Sequence, residues 1–84
     1  MSDASGQEVS AFRIDARGLA CPIPIAMLAR ALKEHVRVEL LADDPAARGD
    51  VEVFCQQLGV ALLSMKVEGV LLTAVVQRPV QQPG

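Results

Sequence analysis

Neither tryptophan nor tyrosine occurs in the 84-residue chain, and phenylalanine occurs only twice. Any core is therefore aliphatic. With Phe12 and Phe54 both inside apolar patterns, no aromatic platform is left on which single-stranded bases could stack. Basic charge is also in short supply. The net charge is -2 and the eight Lys and Arg residues are scattered, which leaves no electrostatic footprint for a phosphate backbone. Direct binding of nucleic acid is not expected. No apolar run reaches the roughly 18 residues of a spanning helix. The opening MSDASGQEVS lacks the basic start and apolar block of a secretory signal. These absences lead to the expectation of a soluble, cytoplasmic protein with no membrane partner.

Cysteine is sparse as well. Cys21 and Cys55 lie far from a Cys-x-x-Cys spacing, which disfavours a thioredoxin-type dithiol, and a lone structural disulfide would be unusual in a reducing compartment. The single histidine, His35, with two distant cysteines makes a poor metal set, so no metal is expected. What remains is enough to fold. Hydrophobic residues make up 51% of the chain and charged residues 21%, and the length allows one domain with one small core.

The pattern along the chain sets the domain as residues 11–78, between a polar, disordered lead of residues 1–10 and a flexible tail of residues 79–84. Phe12, Ile14 and Ala16 alternate with Arg13 and Asp15, the period of a half-buried strand. From Pro24 to His35, Ile25, Leu28, Ala29 and Leu32 recur at helical spacing. Val36, Val38, Leu40 and Ala42 then predict a second strand, closed by Asp43-Asp44-Pro45 and a loop running to Asp50. Asp50 reads as the N-cap of a second helix whose apolar face is Val51, Phe54, Cys55 and Leu58 and whose stop is Gly59. Leu63, Met65 and Val67 alternate with Ser64, Lys66 and Glu68, and a Glu68-Gly69 turn leads into a last strand over residues 70–78. The order βαβαββ, with two crossovers of the same hand, predicts an α/β (α+β) two-layer sandwich, a four-stranded mixed sheet with both helices on one face. The other face carries Arg13, Asp15, Arg37, Glu39, Ser64, Lys66, Thr73 and Gln77. Leu41, Leu71 and Val75 also point that way, as tolerated exposed residues or as a modest patch for a partner.

Chemistry concentrates in Arg17-Gly18-Leu19-Ala20-Cys21-Pro22-Ile23-Pro24, between the first strand and the first helix. Pro22 biases Cys21 toward an extended conformation, and prolines are tolerated in a first helical turn, whose N–H groups have no intrahelical partner. Cys21 is thus placed at or just before a helix start, near the surface. The thiolate is the nucleophile, and at a pKa near ~8.5 only a few per cent is ionised at pH 7. The helix dipole is worth about 0.3–1 kcal/mol, less than one pKa unit. Further activation needs a cation, for which Arg17 is the nearest candidate in sequence. On placement alone two readings stand: a reactive thiol, or a small residue in a rigid turn.

A strand ending Ile14-Asp15-Ala16-Arg17-Gly18-Leu19, followed by Cys21-Pro22-Ile23-Pro24, closely resembles the TusA/SirA family of sulfur carriers. The resemblance continues through Ala42-Asp43-Asp44-Pro45, Asp50 and Phe54-Cys55 into the last two strands, spanning residues 12–78. It implies that Cys21 is the persulfide-bearing cysteine, supported by Arg17, Gly18, Pro22 and Pro24. It also implies a sulfurtransferase that receives sulfur from a cysteine desulfurase or another persulfide donor and passes it to an acceptor protein thiol. In the best-known branch the sulfur ends in a thiolated tRNA uridine; other branches feed molybdenum-cofactor assembly or sulfur oxidation. Pyridoxal phosphate stays with the donor, so no cofactor is implied here. Ile23 stands where that branch often has a polar or acidic residue, a departure that bears on the partner rather than on the chemistry. A carrier that exposes Cys21 to two partners in turn is expected to be a monomer.

The remaining polar residues read as structural. Cys55 sits on an apolar helix face as a small hydrophobe, His35 as a helix-end or surface residue, and Asp43 and Asp44 as shapers of the turn at Pro45. The alternative from a different class is a non-catalytic regulatory or interaction module using the open sheet face.

Overall fold

The computed structural model describes residues 11–79, so the lead of residues 1–10 and the tail beyond Pro79 lie outside the described residues. Six elements follow the expected order: β1 (Phe12–Asp15), α1 (Ile23–Glu34), β2 (Arg37–Ala42), α2 (Ala47–Leu58), β3 (Ala61–Glu68) and β4 (Leu71–Gln77). The sheet runs β1-β2-β4-β3, with β1 parallel to β2 and the other two pairs antiparallel.

Strand period 2 fixes which side chains meet the helices. Ile14, Leu40, Ala74 and Met65 align across the four strands, as do Phe12, Val38, Val76 and Leu62. Most of these pack in one cluster with Leu28 and Leu32 of α1 and Val51, Phe54 and Cys55 of α2, so both helices cover the same face. The opposite face presents the rows Arg13–Glu39–Val75–Ser64 and Asp15–Leu41–Thr73–Lys66. It is tied by an Arg13–Glu39 ion pair at 3.0 Å and by Arg37 donating to Gln77 Oε1 at 2.8 and 3.0 Å. Leu41, Leu71 and Val75 are each half-buried within this polar lattice.

Four local expectations change. The second helix begins at Ala47, not after Asp50: Ala46 is its N-cap, without a side-chain cap, and the Asp50 N–H already bonds the Ala46 carbonyl at 3.0 Å. The launch comes from Asp44, whose carbonyl accepts from Ala47 N–H at 2.9 Å and whose Oδ1 accepts from Ala46 N–H at 3.2 Å. Alanine and arginine then favour helix strongly enough to absorb the stretch read as loop. Leu58 ends the helix 59% exposed, because Gly59 at φ 69° turns the chain left-handed directly after it. On β3, a bulge between Leu62 and Ser64 leaves Leu63 unpaired and 48% exposed, so Leu62 takes the inward place that strict alternation gave to Leu63. Val36 precedes β2 and is exposed; its carbonyl accepts from Arg78 N–H at 2.9 Å.

The C-terminal end of α1 is secured by two contacts. Arg78 Nη1 donates to the carbonyls of Leu32 and Lys33 at 3.0 and 3.4 Å, placing a cation at the negative end of the helix dipole. His35, the C-cap, stacks on Phe12 with ring centroids 3.9 Å apart.

Candidate functional site

β1 and β2 are parallel neighbours, so the loops leaving their C-terminal ends emerge side by side. This is the edge at which open α/β sheets gather their sites. The first loop departs after Ala16, which is fully buried and whose N–H is held by the Leu41 carbonyl at 2.8 Å. Gly18 follows at φ 82°, a left-handed conformation that side chains disfavour; a Cβ there would meet no neighbour, so the backbone alone explains the glycine. Two further turns, Leu19 N–H to Ala16 O at 3.2 Å and Ile23 N–H to Ala20 O at 2.9 Å, bring the chain to the start of α1.

The second loop clips the first. Asp43 Oδ1 accepts from Gly18 N–H at 2.9 Å, and Asp44 Oδ2 accepts from Cys21 N–H at 2.6 Å. One turn into α2, Asp50 Oδ2 accepts the Cys21 thiol. Three carboxylates from the β2–α2 segment thus surround a seven-residue-scale loop that carries one exposed sulfur. Sequence reading missed this constellation, because it treated Asp43 and Asp44 as turn formers and Asp50 as a cap. The signal available was topological: an Asp-Asp pair at the end of a strand parallel to the one preceding Cys21.

The expected site residues separate. Cys21 is exposed and free, directly before the helix, and the Cys21–Pro22 peptide is cis. Pro22 is the N-cap of α1 and exposed, whereas Pro24 is buried beneath the first turn and serves packing. Arg17 does not supply the cation looked for beside the sulfur. Its guanidinium is held on Asp15, Nε to Oδ1 at 2.8 Å and Nη2 to Oδ2 at 2.7 Å, and its N–H adds a bond to Oδ1 at 3.2 Å. That fork is a local brace for the loop.

Electrostatics follow from these contacts. The Cys21 thiol is pushed up, first by its hydrogen bond to Asp50, then by desolvation and by the charges of Asp50 and Asp44. Cys55, 7% exposed among core side chains, is pushed up by burial alone. Asp15 is held down from the ordinary 3.8 to about 2, chiefly by the Arg17 side-chain hydrogen bonds and then by its backbone N–H. A depressed carboxyl contributes stability above its unfolded pKa and loses it as pH falls through the folded value, so this brace releases between about pH 4 and pH 2. Carbon-detected NMR titration should place the Asp15 midpoint near 2 in the wild type and move it up toward 3.8 in Arg17→Ala; an unmoved midpoint would show that Arg17 is not the cause. Among the described residues, no group of His, Cys, Asp or Glu side chains is arranged to hold a metal ion, and no helix is long and apolar enough to cross a membrane.

With this geometry in place, comparison with known proteins is specific. The family model for sulfurtransferase TusA matches residues 12–78. A protein of Neisseria meningitidis serogroup A, named as a candidate sulfur carrier, is 39% identical over 67 residues, covering 76% of this chain and 90% of its own length. The sulfur carrier protein TusA of Pseudomonas entomophila is 38% identical over 58 residues, 66% of this chain and 72% of its own. Among solved structures, the crystal structure of a SirA-like protein from Desulfitobacterium hafniense matches with a TM-score of 0.69 at 21% identity, covering 79% of this chain and 95% of that one. That likeness shows a shared fold.

Proposed function

The chain belongs to the sulfurtransferase TusA family, and from that premise we propose that it carries sulfur as a persulfide on Cys21, received from a donor protein and passed to an acceptor thiol. The observation that carries the assignment to Cys21 is the contrast between the two cysteines. Cys21 is exposed on a loop clipped at Gly18 and at its own N–H, whereas Cys55 is enclosed in the core. Around the sulfur, Ala20 and Pro22 are exposed and Ile23 is 48% exposed, an apolar rim suited to a protein partner.

The chemistry is two thiol exchanges of one kind. The Cys21 thiolate attacks the outer sulfur of the donor's persulfide; that sulfur's bond to the donor cysteine breaks, and the donor leaves as its thiolate. Cys21 then bears the S–SH group. An acceptor thiolate attacks the outer sulfur in turn, and Cys21 leaves as thiolate. Each step breaks one S–S bond and forms one, so no outside oxidant or reductant enters. A cysteine desulfurase, which keeps its own pyridoxal phosphate, is the donor proposed first. An acceptor leading to thiolated tRNA fits the best-known branch of the family. The setting proposed is a reducing cytoplasm, with the protein acting as a monomer.

Incubation with a cysteine desulfurase and cysteine, followed by intact-protein mass spectrometry, tests the reading. The expected product is heavier by one sulfur atom, reverts on reduction, and maps to the peptide containing Cys21. Failure to gain sulfur from several desulfurases, or gain mapped to Cys55, would move the reading to the interaction module.

A further inference from the structure

Asp50 lies in the first turn of α2, where its charge suits the positive end of the helix dipole, but its side chain also reaches across the site. It caps nothing, and its Oδ2 takes the Cys21 thiol. The charged groups around that contact come from every neighbouring element. The cysteine's own loop brings Arg17, already committed to Asp15. The β2–α2 loop brings Asp43 and Asp44, bound to the N–H groups of Gly18 and Cys21. α2 brings Asp50 itself, Arg48 and Glu52, the last two 3.9 Å apart. α1 brings no charged residue before Arg30. Among the described residues none of Asp43, Asp44 and Asp50 has an ion-pair partner. The reacting sulfur therefore lies in an anionic collar with no cation of its own, the reverse of the electropositive surroundings that activate cysteines.

We propose that Asp50 is a positioning residue that holds unloaded Cys21 as a neutral, hydrogen-bonded thiol, and that a cationic side chain of the sulfur donor, pairing with Asp50 and Asp44, releases the sulfur for attack. The donor half of this statement rests on the carrier function proposed above; the resting half is a property of the free protein. On release, the S–H bond ionises and its proton passes to water. The thiolate then forms an S–S bond to the donor's outer sulfur, and the bond from that sulfur to the donor cysteine breaks with its electron pair leaving on the donor. Two features of the site support this order. A neutral thiol is protected from stray electrophiles and oxidants, which react with the thiolate. An uncompensated pair of carboxylates beside an exposed apolar rim also selects a donor by complementary charge and gives a salt-sensitive encounter. The upward push on the thiol's pKa, already traced to Asp50, agrees with the geometry.

The test uses Asp50→Asn, which keeps the shape and removes the charge, in a Cys55→Ala background so that one thiol reports. The rate of alkylation by iodoacetamide is measured against pH. The expected result is a midpoint shifted to lower pH and a several-fold faster reaction at pH 7. An unchanged profile, in a variant whose urea midpoint matches its parent, overturns the proposal. Should the variant fail to fold, the parent decides the matter. Its alkylation midpoint should lie above that of the same chain unfolded in urea, and equality of the two overturns the resting half. Loading by the desulfurase tests the donor half. Asp50→Asn should load several-fold more slowly even though its thiol reacts faster with iodoacetamide, a crossing that a general loosening of the loop would not give. Faster loading as well overturns the donor half. A parent that accepts sulfur from no donor overturns the carrier function instead, and the alkylation profiles still decide the resting half.

Discussion

Cys21→Ser is expected to abolish sulfur loading and onward transfer, to the detection limit of mass spectrometry, while leaving the fold unchanged. The loss is complete rather than partial because the proposed intermediate is an S–S bond, which an oxygen in place of sulfur does not form. The structure makes this a clean experiment. Cys21 is exposed, and substitutions away from packed or strained positions usually stay within about 0.5 kcal/mol of neutral. The loop is held by main-chain contacts, Gly18 N–H to Asp43 and Cys21 N–H to Asp44, that the substitution does not touch. A serine hydroxyl can still donate to Asp50 as the thiol does. Cys55→Ala provides the contrast: its thiol is enclosed and pushed up by desolvation, so loading should persist without it. A Cys21→Ser protein that still gains one reducible sulfur would place the carrier site elsewhere.

Leu28→Ala carries the largest expected effect on stability, about 2–5 kcal/mol. Domains of this size are stable by about 5–15 kcal/mol in total, so much of the folded population is at stake. Leu28 is fully buried in the middle of α1, in the cluster that joins that helix to the sheet and to α2. The fold has a single layer of helices over a single sheet, and the far face of the sheet is solvent-facing. Among the described residues, no second core takes up the strain when a large side chain is removed. The denaturation midpoint in urea should fall with the slope unchanged. Leu63→Ala, at the unpaired position of the β3 bulge, should stay within about 0.5 kcal/mol of the parent. Equal losses at both positions would show that burial is not what sets the difference.

Much of this protein was legible from its sequence. Alternation over residues 12–16 and 36–42 gave two strands, the second read one residue early at Val36, and helical spacing of Leu28 and Leu32 gave the first helix with its buried face, because side-chain period is a local property of each backbone conformation. Gly59 marked the end of the second helix for the same local reason. Cys21 was placed just before a helix by its two prolines, which act on the backbone beside them. Where the reading went astray, the causes were of two kinds. The start of α2 was set by a local turn in which Asp44 accepts from Ala46 and Ala47, and the inward residue of β3 by a bulge in its pairing with β4.

The surroundings of the sulfur were the least legible part. Sequence proximity offered Arg17 as a cation for Cys21, but in the folded chain Arg17 closes on Asp15, two residues away, and the thiol meets Asp50, 29 residues away. The position of Cys21 just before α1 was thus determined by the sequence itself, through backbone preference, and its motif is what proposes it as the sulfur-bearing residue. Its electrostatic environment was decided only by the tertiary structure. Parallel pairing of β1 with β2 brings two loops to one edge of the sheet, and charges distant along the chain act on one another only once that edge is formed.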